Sequence, residues 1–433
     1  MSTEEKMTID ERYKYLRRMQ KRYKQAGRRE RGELLNEMEA VTGLHRKSLN
    51  RLVKGQIERE VRRRERGRRY GPEVDDALRV IRESTDYICA ERLQPNLVWL
   101  AEHLSKHEEL EMTDRLREQL EQVSISTVRR IVQRIGQDER RLPQRRGVRQ
   151  RSALGAEVPM GTIPWQTAIP GYLETDTVFH SGASASGEFL HTLQMIDVAT
   201  GWSERVAVLG RSYLVMEDAF NRILRRLPFA IRLVHPDNGS EILNYHLLRF
   251  WQQRQGVSLR RSRPYHKNDN RFVEQKNETL VRAYLGHERL DTVAQTLAVN
   301  QLYDLLWVYN NFFQPVMRMV EKTVVPAAPN SDDNQSAKVQ RHFDLARTPF
   351  DRLCDTDVVL PQHAARLHAL RNQINPRHLR QQIYDQIDTI FSLPNAVPGV
   401  TEDVYQTLSS STNAPTQDNL LRDLTFNCTP LKA

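Results

Sequence analysis

Apolar residues recur every three or four positions through the first third of the chain, a helical rhythm, and the pattern turns strand-like only after Gly171. Across residues 9–26 the spacing of Tyr13, Leu16, Met19 and Tyr23 predicts one amphipathic helix with Lys and Arg on its other face, ended at Gly27. From Arg31 the segment RGELLNEMEAVTGLHRKSLNRLVKGQ reads as a short helix, a turn at Thr42-Gly43 and a second helix from His45 to Val53. Leu34, Leu35, Met38, Leu44, Leu49 and Leu52 would hold the two across the turn, the pattern of a helix-turn-helix. His45, Arg46, Lys47, Asn50 and Arg51 then form the exposed face of the second helix, the face with which that motif meets DNA. A second module of the same kind spans Glu73 to Ile135. Its last helix has Ser124 and Ser126 as candidate N-caps and Thr127, Arg129, Arg130 and Arg134 facing outward.

After Gly171 the segments YLETDTVFH, EFLHTLQMIDVATG and WSERVAVLG read as three strands, parted by SGASASG and by Ala199-Thr200-Gly201. A helix from about Val215 to Arg226, a strand Ala230 to Val234, a helical segment, a short strand, a basic loop and a helix carrying Glu274 follow. That mixed α/β order is the one used by the ribonuclease H-like fold, here a mixed five-stranded sheet with flanking helices. After Glu321 the segment TVVPAAPNSDDNQSAK reads as a connector, and helical periodicity resumes from about Val339 to Leu393. The expected organisation is a helix-turn-helix module with a basic arm (1–71), a second helical module (72–139), a basic linker (140–164), the α/β core (165–320), a C-terminal helical region (321–393) and a flexible tail (394–433).

Charge adds a partner to this picture. Residues 1–150 carry 36 Lys and Arg against 26 Asp and Glu, whereas the remainder is balanced at 29 against 29, so the whole excess lies in the helical third. Two dense runs carry much of it, Arg59 to Arg69 with Arg62, Arg63 and Arg64 at its centre, and Arg140 to Arg151 with Arg145 and Arg146. So many like charges repel one another unless a polyanion compensates them, which points to phosphate backbones. No apolar run approaches the roughly 18 residues that span a bilayer and the N-terminus lacks an apolar signal core, so a cytosolic protein without a membrane partner is expected. Cys89, Cys354 and Cys428 form no CxxC pair, and His103 and His107, although at i and i+4, lack two further ligands for zinc.

Candidate chemistry concentrates between residues 174 and 278. Asp176 sits between Thr175 and Thr177 inside the first strand, where a carboxylate is costly unless something compensates it. Asp237 follows the fourth strand in His235-Pro236-Asp237-Asn238-Gly239, and Glu274 lies in a helix beginning near Asn270. Three such carboxylates can converge into an oxygen-only ligand set suited to Mg²⁺ or Mn²⁺. The residues alone leave rivals open: Glu174 shares a strand face with Asp176, while Glu278 and Asp269 flank Glu274. Asn238, Arg263, His266, Lys267, Asn270, Lys276 and Asn277 surround the acids as candidate DNA-positioning groups. Asp197, in the IDVATGW turn, reads as a hydrogen-bonding turn residue, and Trp202 as core.

The words LETDTV, TLQMIDVATGW, HPDNGSE and SRPYHKNDNRFVEQKN, covering roughly residues 165–320, resemble the catalytic core of integrase-type Asp-Asp-Glu transposases, the superfamily of retroviral integrases and many bacterial insertion-sequence transposases. The flanking words NNFFQPVMRMVEKT, TPFDRL and INPRHLRQQI are similar to such transposases as well. Carried over, the resemblance makes Asp176, Asp237 and Glu274 a triad holding two divalent ions, Mg²⁺ or Mn²⁺, with sixty residues between the first two and thirty-six between the last two. It implies a metal-dependent polynucleotidyl transferase that cleaves and joins DNA strands in the bacterial cytosol or nucleoid. The implied partners are double-stranded DNA, as element ends and as target, and a second copy of the chain, since joining two ends needs at least a dimer; no small-molecule substrate is implied. Two other readings keep the same residues: a transposase-derived DNA-binding regulator without activity, and a ribonuclease H-like nuclease that cuts without joining.

Overall fold

A computed structural model describes residues 7–57, 69–135, 163, 167–184, 186–236, 247, 249–251, 256–260, 270–325, 338–408 and 426. They form two compact units, 1–69 and 70–433.

In the first unit α1 (Ile9–Gln25) opens on a capping box, with Thr8 Oγ1 accepting from the Glu11 amide and the Glu11 carboxylate accepting from the Thr8 amide at 2.7 Å. α2 (Arg28–Thr42) ends at Gly43, whose φ of +67° lets its N–H turn back to the Glu39 carbonyl. α3 (Arg46–Lys54) follows at once, and its N-cap is His45, whose Nδ1 accepts from the Lys47 amide. Leu16, Met19, Leu34, Leu35, Met38 and Leu49 close the three-helix core as the apolar spacing expects, joined by Val53, whereas Leu44 and Leu52 are only partly buried against it. Gln20 adds a polar tie by donating to the carbonyls of Val53 and Gly55.

The second unit begins with five helices, α4 (Pro72–Ser84), α5 (Ala90–Leu93), α6 (Leu97–Lys106), α7 (Asp114–Gln122) and α8 (Ile125–Ile135), around Val74, Leu78, Ile81, Leu100, Leu104, Leu116, Leu120 and Val128. Ser124 caps α8 by accepting from the Thr127 amide at 3.3 Å. The sheet consists of β1 (Tyr172–Phe179), β2 (Leu190–Asp197), β3 (Ser203–Leu209), β4 (Leu233–Pro236) and β5 (Ser258–Leu259), in the spatial order β3-β2-β1-β4-β5. β1 to β3 are antiparallel neighbours; β4 lies parallel to β1 and β5 parallel to β4. This is the mixed five-stranded arrangement with flanking helices expected of a ribonuclease H-like core. α9 (Tyr213–Arg226) connects β3 to the parallel half. α10 (Arg271–Lys276) continues through a π-helical stretch, Asn277–Arg282, into α11 (Ala283–Leu285), and α12 (Val293–Val308) packs on β3.

Beyond the core the chain departs from its sequence reading. The segment that reads as a connector begins and ends in strands, β6 (Met319–Val325) and β7 (Lys338–Phe343), paired as an antiparallel ribbon. Asp344 fastens the ribbon's base by accepting from the Arg318 amide at 2.7 Å and pairing with Arg352 at 2.7 Å. α13 (Pro349–Cys354), α14 (Pro361–Gln373) and α15 (Pro376–Ser392) follow. α15 binds the first helices of its own unit: Asp86 accepts from Arg380 and the Tyr384 hydroxyl, and Arg377 reaches Glu83 and Glu109 at 2.8 and 2.9 Å. In the expected flexible tail a few described positions are anchored, while Val397 and Val400 are exposed. Glu402 accepts from the Val293 amide at the start of α12, the Phe426 amide donates to the Arg225 carbonyl, and Phe426 is buried. Turn-rich composition hides these contacts because each consists of one or two residues rather than a periodic face.

Candidate functional site

β1 and the helix lying across it build the site. Strand alternation turns Glu174 and Asp176 to one face of the sheet. α10 covers that face, with Val273 buried against Ile196 of β2 and Leu280 beneath it. Glu174 is fully buried, and its Oε2 accepts from the amides of Phe272 at 2.8 Å and Val273 at 3.0 Å, in the first turn of α10. Asp176 is half-buried, and its Oδ2 accepts from the Asn277 side-chain amide at 2.6 Å, while Oδ1 accepts from the Thr177 amide. From β4, buried His235 hydrogen-bonds through Nδ1 to Asn270 Oδ1 at 2.6 Å, just before α10 starts. Glu274, half-buried, lies on α10 between these fastenings. The β1/β4 register pairs Thr175 with Pro236, so the residues that immediately precede Asp176 and Asp237 in the chain are neighbours across the sheet.

Burial governs the electrostatics. Loss of hydration pushes the Glu174 carboxyl up to about 7, against the two amides and the Arg271 charge that favour its ionised form; the Glu274 charge adds to the rise. Part of Lys276 reaches the surface, yet loss of hydration around its ammonium, with Arg92 and Arg205 nearby, pulls its pKa down to about 7. That environment suits a packed group better than the phosphate contact expected of Lys276.

Asp197 is fully buried at the β2–β3 turn. It accepts from the Gly171 amide at 2.8 Å and from the Thr200 amide and hydroxyl at 2.8 and 2.7 Å, the hydrogen-bonding role its sequence position indicates. Burial raises its pKa from 3.8 to about 6 in spite of those bonds. A raised folded-state pKa contributes stability that is fully present below about pH 4 and is lost as pH rises through about 6. The parent chain should therefore lose about 3 kcal/mol relative to Asp197→Asn between pH 4 and pH 8. Urea unfolding of both proteins across that range measures it, and a gap independent of pH would refute the assignment.

No family model matches the sequence. The uncharacterized protein y4rM of Sinorhizobium fredii is 38% identical over 311 residues, 71% of this chain and 87% of its own length. The chain belongs to the family of that protein. Among solved structures, the catalytic core domain of BIV integrase is 15% identical and covers 33% of this chain and 83% of its own, with a TM-score of 0.24.

In this member of the y4rM family the remaining candidate residues divide by what they touch. On α3, His45, Lys47 and Arg51 are exposed, whereas Arg46 is turned to α2, bonding Asn36 and the Gly32 carbonyl. Asn50 is half-buried, with Oδ1 lacking a protein partner. On α8, Arg129 pairs with Glu91 and Arg130 donates to Thr127, both still exposed. Asn270 and Asn277 hold α10. Arg62, Arg63, Arg64, Arg145, Arg146, Asp237, Asn238, Arg263, His266 and Lys267 lie outside the described residues. Among the described residues no group of three or more His, Cys, Asp or Glu side chains is gathered for a metal. His103 is buried, its Nε2 on the Ile374 carbonyl at 2.8 Å and its ring against Phe313, a packing role. No helix among the described residues is long and apolar enough to cross a membrane.

Sequence reasoning missed the polar support under the site. Gln194 stands directly across β2 from Asp176, fully buried, with neither side-chain amide atom on a protein partner. Period-two alternation with Thr192 and Ile196 on β2 is the available signal for it. His235 has a signal too, its place at the end of a buried strand beside Asp237.

Proposed function

We propose that this chain is a DNA transposase of the Asp-Asp-Glu type, in which Asp176, Asp237 and Glu274 hold the catalytic metal ions and the helical N-terminal modules bind element ends. The observation that carries the reading is the fastening of α10: Glu174 and Asp176 of β1 and His235 of β4 all bond the segment Asn270 to Asn277 that bears Glu274. Strand β4 runs beside β1 up to Pro236, one residue before Asp237. Carboxylate oxygens are the donors Mg²⁺ and Mn²⁺ prefer, so the residues fit the ions. Two bound ions would supply Lewis acidity for the attacking and leaving oxygens of an in-line phosphodiester displacement. The chain's own contribution would be to orient the two described carboxylates: Asn277 holds Asp176, and the clamp on α10 holds the helix that bears Glu274.

The test is a joining assay with the purified chain, a duplex made from the inverted repeats flanking its gene, a supercoiled target plasmid and Mg²⁺. Joined product is expected. Nicked ends without joints would make the chain a nuclease, and end binding without either product a regulator.

Lys47 and Arg51, both exposed on α3, carry the proposed DNA contact of the first module. Lys47→Ala with Arg51→Ala should lower the slope of log affinity against log salt by about 2, roughly one unit per lost phosphate contact. An unchanged slope in a binding titration would remove α3 from the interface.

A further inference from the structure

The chemistry proposed above gives Glu174 no part, yet its carboxylate is fully buried, an expensive placement unless something requires it. Its Oε2 meets two amides at the start of α10, Phe272 N at 2.8 Å and Val273 N at 3.0 Å. First-turn amides have no partner inside their own helix, and α10 receives no side-chain cap from Asn270, whose amide oxygen is engaged by His235. The cap comes instead from a strand almost a hundred residues earlier in the chain, so it fixes where the helix starts relative to the sheet.

A second grip lies two residues along the same strand, where Asp176 accepts from Asn277 at 2.6 Å. Two residues of strand advance about 6.6 Å. The four to five residues from Phe272 and Val273 to Asn277 advance about 6 to 7.5 Å along a helix. The two grips are therefore in step, and Glu274 lies between them.

We propose that Glu174 is a positioning residue: it clamps the first turn of α10 to β1 and thereby sets the placement of Glu274 relative to Asp176. Its significance for catalysis rests on the transposase reading, but the clamp itself is a structural claim that can be measured without activity. Oε2 is committed to the two amides and Oε1 is buried without a protein partner, so Glu174 acts through the helix.

The experiment compares the full-length parent with Glu174→Gln, which keeps an acceptor oxygen, and Glu174→Met, which keeps length and volume without one. Amide hydrogen exchange at Phe272 and Val273 is read beside strand joining and end binding. Glu174→Gln should retain slow exchange and most of the joining. Glu174→Met should speed exchange at these two amides by about tenfold, the scale of one lost hydrogen bond. It should also reduce joining while end binding holds. Unchanged exchange in Glu174→Met, or exchange in Glu174→Gln as fast as in Glu174→Met, overturns the clamp. Joining lost in Glu174→Gln with exchange unchanged also overturns it, because the charge rather than the bond would then be what matters. If Glu174→Met does not fold, Glu174→Gln decides alone: protection kept supports the clamp and protection lost refutes it. If even the parent joins no DNA, the transposase reading fails while the exchange data still decide the clamp.

Discussion

Asp237→Asn and Glu274→Gln should each abolish strand joining while end binding persists. Either change removes one carboxylate from the proposed metal site, and the ions supply several kcal/mol of transition-state stabilisation, so joining should fall by on the order of 10³-fold or more. End binding is expected of other residues, among them the exposed Lys47 and Arg51 of the compact N-terminal unit. These two positions give a cleaner test than Asp176. An Asp176→Asn side chain could present an amide nitrogen to the Asn277 amide and disturb the helix as well as the metal site. Stability should not fall in Glu274→Gln, because the Glu274 charge opposes ionisation of buried Glu174 and its removal relieves that repulsion. A melt, a gel-shift and a joining assay on the same preparations separate these effects. Joining at parental rate by both variants would sink the triad.

The largest structural effect is expected at Gly171, where the chain enters β1. Its φ is +109°, a region that side-chain-bearing residues rarely adopt, and an added Cβ would lie 2.5 Å from the Ala230 carbonyl oxygen and 3.1 Å from Arg232 Cγ. The same residue donates its N–H to Asp197 and accepts from the amides of Arg232 and Leu233, where the chain enters β4 beside β1. Neither backbone can retreat without giving up those bonds. Gly171→Ala should therefore cost about 3 kcal/mol or more, strain and lost pairing together. Urea unfolding measures it, and a loss below about 1 kcal/mol would mean that β1 and β4 separate freely at this end. Since β1 carries Asp176 and β4 leads into Asp237, joining should weaken in parallel.

Several elements are legible in the amino-acid sequence alone. The helical spacing of Leu16, Met19, Leu34, Met38 and Leu49 anticipates the N-terminal core, and the turn-bounded, β-rich segments after Gly171 anticipate the strands of the mixed sheet. Trp202 reads as core and is fully buried, and Asp197 reads as a turn residue and accepts three hydrogen bonds. Such features are local: a helix buried on one face leaves a period of 3.6 in the chain itself, and β2 and β3, buried along their whole length, leave runs of strand-forming residues bounded by turns. The ribbon β6–β7 and the anchors of the tail are not legible, because a two-stranded ribbon split by a turn-rich segment and single anchoring residues leave no period to read.

The sequence by itself determined which residue types were at hand: carboxylates within a strand, after a strand and within a helix, a basic helical third, and the order of strands and helices between them. Only the tertiary structure decided what each charge does. Arg46, expected on the exposed face of α3, donates to Asn36 and the Gly32 carbonyl of α2, and Lys276 is a partly buried cation beside Arg92 and Arg205. Glu174, Asp176's rival on chemistry alone, proved to be engaged with the first turn of α10. The reason is that a polar side chain's role depends on its partners, and those partners lie in other elements, 14 residues away for Arg46 and Gly32 and 98 for Glu174 and Phe272, which no local period encodes.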